Sequence, residues 1–235
     1  KLGWKISIKN GADKKEDQAR FLNESISAHP DAIIFGGVQS SLFPKEILRA
    51  REDKIVLAGW HVSDILGQTK ELFVNITTSP SDVAKLAADF VIQDAIRKNN
   101  KVGVVLFNDN QYAIANAKTK YMKEFIEKCK GYKDCKVLTT ENISISDADK
   151  AIPTIVPKLL TKYGKDWTYS IGINDTYFDT MNLPLLFADR RDIINVSAGD
   201  GSITALSRIA YGKSQQAATV AEPLKLQGYQ LADEL

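Results

Sequence analysis

Ser170-Ile-Gly-Ile-Asn-Asp175 indicates the fold class more directly than any other segment of the chain. A short apolar run here predicts a strand that ends in an adjacent carboxamide and carboxylate. Similar polar ends follow other predicted strands, at Ala58-Gly-Trp-His61, Ser197-Ala-Gly-Asp-Gly201 and Thr219-Val-Ala-Glu222. In an open parallel sheet, side chains at the carboxyl ends of strands converge on one crevice. The pattern therefore predicts a polar binding cleft but does not identify its ligand.

Strands and helices alternate on both sides of that segment. We predict strands over 6–8, 31–35, 54–58, 73–76, 101–107, 136–140, 168–173, 193–197 and 217–221. We predict helices over 13–27, 44–51, from Ser79 or Ser81 to about 97, 113–129, 147–163, 176–187 with an interruption at Pro184, 203–211 and 223–235. Such alternation predicts an α/β fold with parallel sheets covered on both faces.

The composition is that of an ordinary globular protein. The chain has 235 residues, of which 44% are hydrophobic and 26% charged, enough for one large domain or two lobes. The net charge of +2, from 31 basic and 29 acidic residues, gives no electrostatic argument for nucleic acid or a membrane surface. No apolar run approaches the roughly 18 residues of a spanning helix. No leader peptide is visible at Lys1, which does not decide the location.

Motifs of common enzymes are missing from the sequence. It contains no Gly-x-Gly-x-x-Gly after a strand, no Gly-x-x-x-x-Gly-Lys-Ser/Thr and no Gly-x-Ser-x-Gly. The two histidines, His29 and His61, are far apart in sequence. We therefore predict no catalytic residue, no cofactor and no metal site.

The two cysteines, Cys129 and Cys135, flank a short segment that contains Gly131. A disulfide closing this loop would fit an oxidising compartment, and we favour it. The alternative is two free thiols at a helix end.

Both ends of the sequence look truncated. Lys1-Leu-Gly-Trp-Lys-Ile is typical of the last turn of a helix, with Gly3 as its C-terminal stop, followed by a strand. The last segment stops within a predicted helix. We therefore expect a fragment of a longer chain.

In their order and spacing, five segments resemble the type I periplasmic binding proteins, particularly the ribose-binding-like sugar branch. They are Lys1-Leu-Gly-Trp-Lys-Ile-Ser-Ile8, His29-Pro-Asp-Ala-Ile-Ile-Phe35, Ile173-Asn-Asp175, Ala198-Gly-Asp-Gly201 and Ala217-Ala-Thr-Val-Ala-Glu-Pro223. The resemblance implies two Rossmann-like lobes joined by a hinge, which close on a ligand. Lobe one would comprise 1–76 plus 221–235, with its first strand missing, and lobe two 77–220.

The resemblance also implies ligand contacts at several strand ends. Asn174 and Asp200 fall where the family binds sugar hydroxyls, and each is alternatively a turn residue. We expect the neighbouring Asp175 to cap the helix that follows. Glu222 replaces a glutamine of the ribose binders, and could accept from a hydroxyl, pair with a cationic ligand group or be a solvated hinge residue.

Further candidate positions depart from the ribose pattern or lie in a loop. Trp60 and His61 replace an Asp-Arg pair, so Trp60 could stack on a ligand or pack at the lobe edge, and His61 stays open. Lys118 replaces an arginine, and a solvated surface lysine is the preferred interpretation. Asn110 and Tyr112, in the loop after a predicted strand, are candidate contacts together with the intervening glutamine.

The function that the resemblance implies is binding of a small polar solute, a sugar or sugar-like molecule, for delivery to an ABC-type permease. It implies a periplasmic or extracellular location. Two alternatives remain: a ligand-sensing ectodomain coupled to the signalling domain of a histidine kinase or chemoreceptor, and the effector domain of a repressor. An enzyme is the least supported class.

Overall fold

The structure, a computed structural model, describes residues 3–129 and 135–235, and these fold into two units. Unit 1 comprises Lys1–Thr77 and Leu226–Leu235, and unit 2 comprises Thr78–Lys225. The boundaries predicted from the sequence follow residues 76 and 220, and the units of the structure divide after residues 77 and 225. Each unit contains its own parallel sheet, which confirms the predicted α/β class.

Unit 1 is built on a three-stranded parallel sheet with the order β1-β2-β3. Its elements are β1 (Ala32–Gly36), β2 (Val56–Trp60), β3 (Val74–Ile76), α1 (Lys15–Ser27), α2 (Pro44–Glu52), a 3-10 helix (Ser40–Leu42) and α8 (Leu224–Glu234), which begins in unit 2. Leu22 and Ile26 of α1 and Ile47 of α2 share one apolar cluster with Phe35 and Leu57 of the sheet. The spacing of four between Leu22 and Ile26 puts both on the helix face that packs on the sheet.

The strand predicted over 6–8 is wrong. Residues 3–11 form no helix or strand, and Ile6 and Ile8 are 75% and 88% exposed. A strand needs a hydrogen-bonded neighbour, and among the described residues of unit 1 the sheet contains only β1, β2 and β3. The alternation of apolar and polar residues predicts a strand only where one face is buried. Lys1 and Leu2, part of the opening motif, lie outside the described residues.

Unit 2 is built on a five-stranded parallel sheet with the order β5-β4-β6-β7-β8. Its strands are β4 (Val102–Asn108), β5 (Cys135–Asn142), β6 (Tyr169–Gly172), β7 (Ile194–Ser197) and β8 (Gln216–Thr219). Its helices are α3 (Pro80–Lys98), α4 (Ala113–Glu127), α5 (Ala148–Tyr163), α6 (Asn182–Phe187) and α7 (Ile203–Tyr211). All seven residues of β4 are buried, as expected for an inner strand of a parallel sheet that is covered on both faces.

Local signals in the sequence set the ends of α3. The Ser79 hydroxyl accepts from the backbone N–H of Asp82 at 3.3 Å, so Ser79 rather than Ser81 caps the helix. Pro80 occupies the first turn, where its missing N–H is not needed. Asn99 ends the helix in a left-handed conformation with φ of 51°.

The helix predicted over 176–187 is two elements. A 3-10 helix (Asp175–Phe178) comes first, and α6 starts only at Asn182. Pro184 lies in the first turn of α6, where proline is tolerated. The helical segment is therefore interrupted before Asn182, and not at Pro184 as the sequence predicted.

Candidate functional site

The carboxyl edge of the unit 2 sheet collects polar side chains from several strands. β5 lies on one side of β4 and β6 on the other, so the direction of the strand order reverses at β4. Ligands of open α/β sheets bind outside the carboxyl ends of strands at such a reversal. Asn174 follows β6, Asp200 follows β7 and Glu222 follows β8. The sheet thus brings three of the predicted ligand residues to one edge.

Asp200 is presented on a tightly constrained turn. Its own φ is +75°, and Gly199 and Gly201 on either side also have positive φ. A Cβ on Gly199 would lie 2.8 Å from the carbonyl oxygen of Ile173, and one on Gly201 would lie 2.5 Å from the Cβ of Ala221. Non-glycine residues in this conformation are costly and cluster at functional sites. The turn therefore fixes the backbone of Asp200 at the edge.

A buried ion pair lies directly beneath this turn. Nζ of Lys118, on α4, is 2.6 Å from Oε1 of Glu222, and both residues are more than nine-tenths buried. A Cβ on Gly199 would be 2.7 Å from that Nζ and 3.0 Å from that Oε1, so glycine is required for the close approach. The preference for a solvated Lys118 is wrong, and Glu222 is not a solvated hinge residue. A lysine is almost never buried unless its ammonium is paired, and Glu222 supplies that partner here.

The environment of Asp200 disfavours its ionised form. Burial raises the pKa of its carboxyl group, the positive charge of Lys118 opposes this, and the carboxylates of Asp175 and Glu222 add to it. The net result is a pKa of about 6 instead of 3.8. A carboxyl group whose pKa is raised by burial and by specific neighbours, on a polar edge, is a functional-site candidate.

The capping role predicted for Asp175 belongs to Asn174. Oδ1 of Asn174 accepts from the backbone N–H of Thr176 at 3.2 Å, so Asn174 is the cap. Asp175 is buried, and its carboxylate accepts at 2.8 Å from the backbone N–H of Ser202 and from Nε2 of Gln216. The expectation that Asp175 caps its own helix is wrong. The cap uses only the carbonyl oxygen of Asn174, so a ligand contact through its NH₂ group stays a prediction.

The loop after β4 places its two candidate residues differently. The Asn110 side chain is exposed, and its backbone N–H donates to Oδ1 of Asn142 at 2.7 Å. Tyr112 is half-buried against the unit 2 core. The buried polar residue of the loop is Asp109, whose carboxylate accepts from the backbone N–H groups of Gln111 and Ile145. Ligand contacts at Asn110 and Tyr112 stay predictions.

Unit 1 has its own polar group at the carboxyl end of β2. Nε1 of Trp60 donates to Oε1 of Gln227 at 2.9 Å, and Nε2 of His61 lies 2.9 Å from the same oxygen. The Trp60 ring also packs on an apolar cluster that includes Ala58 and Leu231. These contacts are those of Trp60 packing in its own unit, and a ligand contact at Trp60 or His61 stays a prediction.

Cys129 and Cys135 form a disulfide in the structure, with their Cα atoms 6.2 Å apart. That separation lies within the usual range. The segment between them is outside the described residues.

A family model and solved structures place these two units among known proteins. The model described as a periplasmic binding protein domain matches residues 1–235. The chain belongs to this family. The sequence matches none of the curated proteins.

Solved structures share the fold of this periplasmic binding protein domain. An ABC sugar transporter subunit from Rhodobacter sphaeroides is 20% identical, with a TM-score of 0.75 over 93% of this chain and 74% of the other. A solute-binding protein from Agrobacterium vitis with bound allitol is 21% identical, with a TM-score of 0.75 over 93% and 72%. A solute-binding protein from Mycobacterium smegmatis with bound glycerol is 14% identical, with a TM-score of 0.78 over 97% and 74%.

A cavity of about 980 Å³ elsewhere in unit 2 is a weaker candidate for a polar ligand in this periplasmic binding protein domain. Residues of α5 and α6 line it, including Pro157, Leu160, Leu183 and Phe187. Most of this lining is apolar, and it includes none of the predicted ligand residues. The carboxyl edge of the sheet fits a polar solute better, because it offers hydrogen-bonding groups.

Over residues 3–129 and 135–235, no helix is both long and apolar enough to cross a bilayer. Over the same ranges, no three His, Cys, Asp or Glu side chains are grouped so that they could hold a metal ion.

The buried contacts of Lys118 and Gln227 were not predicted from the sequence. Lys118 belongs to a lysine-rich helix, and its position on the inner face of α4 was the available signal, since Ala115, Met122 and Ile126 are buried on the same face. Gln227 carried no signal, because its partners Trp60 and His61 are more than 160 residues away.

Proposed function

We propose that this periplasmic binding protein domain binds a sugar or polyol at the carboxyl edge of the unit 2 sheet and releases it unchanged. The observation that carries the proposal is the constrained turn that carries Asp200 and lies against the buried Lys118–Glu222 pair. Because the turn is already ordered, little conformational entropy is lost there when a ligand binds.

The chemistry of the edge suits hydroxyl groups. Asp200 can accept hydrogen bonds from two hydroxyls, and charge-assisted bonds of this kind are stronger than neutral ones. The NH₂ group of Asn174 can donate to a hydroxyl oxygen. Allitol and glycerol, the molecules in two of the structures with this fold, are polyols of this kind and support the proposal.

The proposed role is capture and delivery without a chemical step. In this proposal the chain works in the periplasm or outside the cell and hands its solute to an ABC-type permease. The family membership supports both parts. A solute recovered chemically unchanged after prolonged incubation with the protein is the expected result.

A thermal-shift panel of sugars and polyols, including allitol and glycerol, tests the binding step. A solute present at 100 times its Kd adds about 2.7 kcal/mol of stability, which raises Tm by several degrees. Asp200→Ala should abolish the shift, because the variant loses the charged acceptor of the site.

Asp192→Asn is the matched control, since Asp192 precedes the strand that Asp200 follows. This variant should keep the wild-type shift. A panel without any stabilising sugar or polyol would contradict the proposed function. An unchanged shift in Asp200→Ala would move the site away from this edge.

A further inference from the structure

At the carboxyl edge of the unit 2 sheet, the carboxylates of Asp175, Asp200 and Glu222 lie near the single ammonium of Lys118. The ammonium of Lys118 is bonded to Glu222, and both side chains are buried. The carboxylate of Asp175 receives hydrogen bonds from two neutral groups, the backbone N–H of Ser202 and Nε2 of Gln216. The same Lys118 lowers the pKa of Asp200, and a hydrogen bond from the backbone of Asp175 acts in the same direction. One lysine therefore serves a neighbourhood that contains three carboxylates.

A second cationic side chain near this edge, that of Arg208, is also bonded to other groups. Arg208, on α7, forms an ion pair with Asp179 and donates through Nε and Nη2 to Oε1 of Gln216, at 3.0 and 2.8 Å. Gln216 in turn donates to Asp175. Arg208 is thus bonded to groups other than the Asp200 carboxylate.

We propose that Lys118 and Glu222 determine the charge preference of the solute site. Because Lys118 is held by Glu222, Asp200 is left to pair with a positive group of the solute, so the site prefers an amine-bearing polyol or amino sugar and rejects the matching carboxylate. This inference rests on the proposed function. Lys118 and Glu222 are positioning residues here, and Asp200 is the residue that contacts the solute.

The physical basis is the desolvation of Asp200 and its neighbours. An amine that binds beside a buried, poorly compensated carboxylate gains a charge-assisted bond and relieves repulsion from Asp175 and Glu222. A carboxylate-bearing solute adds a like charge to the same place. A neutral hydroxyl lies between the two, so affinity should fall in the order amine, hydroxyl, carboxylate.

Matched trios of solutes test this order by titration calorimetry at pH 7. One trio is glucamine, glucitol and gluconate, and a second is glucosamine, glucose and glucuronate. The amine should bind at least 10-fold more tightly than the neutral member, and the carboxylate should show no measurable binding. If neutral members bind and amines bind no better, this inference fails while the proposed function stands. If neither trio nor any other sugar or polyol binds, the proposed function fails.

Substitutions at the pair test its role directly. In Glu222→Gln the ammonium of Lys118 is released to Asp200, so the ratio of amine to neutral affinity should drop to about one. The double variant Lys118→Met/Glu222→Gln removes both charges and should restore the preference. Replacing both members of a buried pair is tolerated much better than removing one, which keeps the test usable if a single variant folds poorly. A preference unchanged in Glu222→Gln, or not restored in the double variant, would overturn the assignment.

Discussion

The two edges of the unit 2 sheet treat buried charge in opposite ways. At the amino edge, before β7, Arg190 is buried and donates to both carboxylate oxygens of Asp192 and to the backbone carbonyls of Gly164 and Trp167. At the carboxyl edge, after the same strand, Asp200 is left with a pKa raised to about 6. One four-residue strand separates a fully compensated charge from a poorly compensated one.

The pKa directions extend the contrast. The Arg190 guanidinium lowers the pKa of Asp192. For Asp94, burial alone would raise the pKa, but hydrogen bonds from Lys98, Arg97 and Tyr169 outweigh it and the pKa is lowered. Both acids act at the amino edge, where they stabilise the fold. The carboxyl edge therefore retains a local cost in stability at Asp200, the kind of cost that proteins commonly accept at functional sites.

The largest effect on stability is expected at the amino edge, for Arg190→Met. The variant leaves the carbonyl oxygen of Trp167, which is buried, and that of Gly164, which is partly buried, without this donor. It also leaves Asp192 without its bonds to Arg190. Removing one member of such a network costs about 3–5 kcal/mol, which urea unfolding of the purified chain would measure.

Arg191→Ala is the matched control, because Arg191 is the exposed neighbour. Its stability should stay within about 0.5 kcal/mol of the wild type. A loss below about 1 kcal/mol in Arg190→Met would show that the amino edge does not depend on this arginine, and the contrast between the edges would weaken.

The second largest change in stability is expected at the carboxyl edge, where a substitution should stabilise the protein. Asp200→Asn should stabilise the ligand-free protein, because the variant removes a carboxylate that is costly to ionise in the folded state. The difference between a pKa of about 6 and the ordinary 3.8 corresponds to at most about 3 kcal/mol. The same variant should lose solute affinity.

The pH dependence distinguishes this cause from others. Between pH 3.8 and 6 the folded state holds a proton on Asp200 that the unfolded state has released. The free energy of unfolding of the wild type therefore falls as the pH rises from about 3.8 to about 6. The gain in Asp200→Asn should be full above about pH 6 and should vanish below about pH 4. Unfolding measured in urea from pH 3.5 to 8 would show it, and a variant less stable than the wild type at pH 8 would contradict it.

The strands and helices that form both edges of the unit 2 sheet were predicted from the sequence. The apolar runs of β4 and β6 and the helices between them repeat regularly, and the predicted strands of unit 2 were confirmed. The strand over 6–8 failed because local alternation says nothing about whether a neighbour is present to pair with it. Strand pairing is a long-range property, and a single segment does not contain it.

Side-chain roles at the site were less predictable for the same reason. Lys118 and Glu222 are 104 residues apart, and nothing near either one indicates the pair. Asn174 and Asp175 are adjacent and similar in chemistry, so the sequence could not decide which one caps and which one is buried. The Asp200 turn was recognisable because its two glycines record the backbone geometry locally.

The smallest expected effect returns to the amino edge, at Asp192→Asn. Because the pKa of Asp192 is lowered in the folded state, its ionised form contributes stability at pH 7 that is lost as the pH falls through that lowered value. The side chain is 44% exposed, so solvent screens the pair and the loss should be only about 0.5–1 kcal/mol. Measured beside Asp200→Asn in the same pH series, the two substitutions should change stability in opposite directions at pH 7 and both approach zero in acid. If both destabilise at pH 7, the two ends of β7 are compensated alike, and Asp200 is then a structural residue instead of a solute contact.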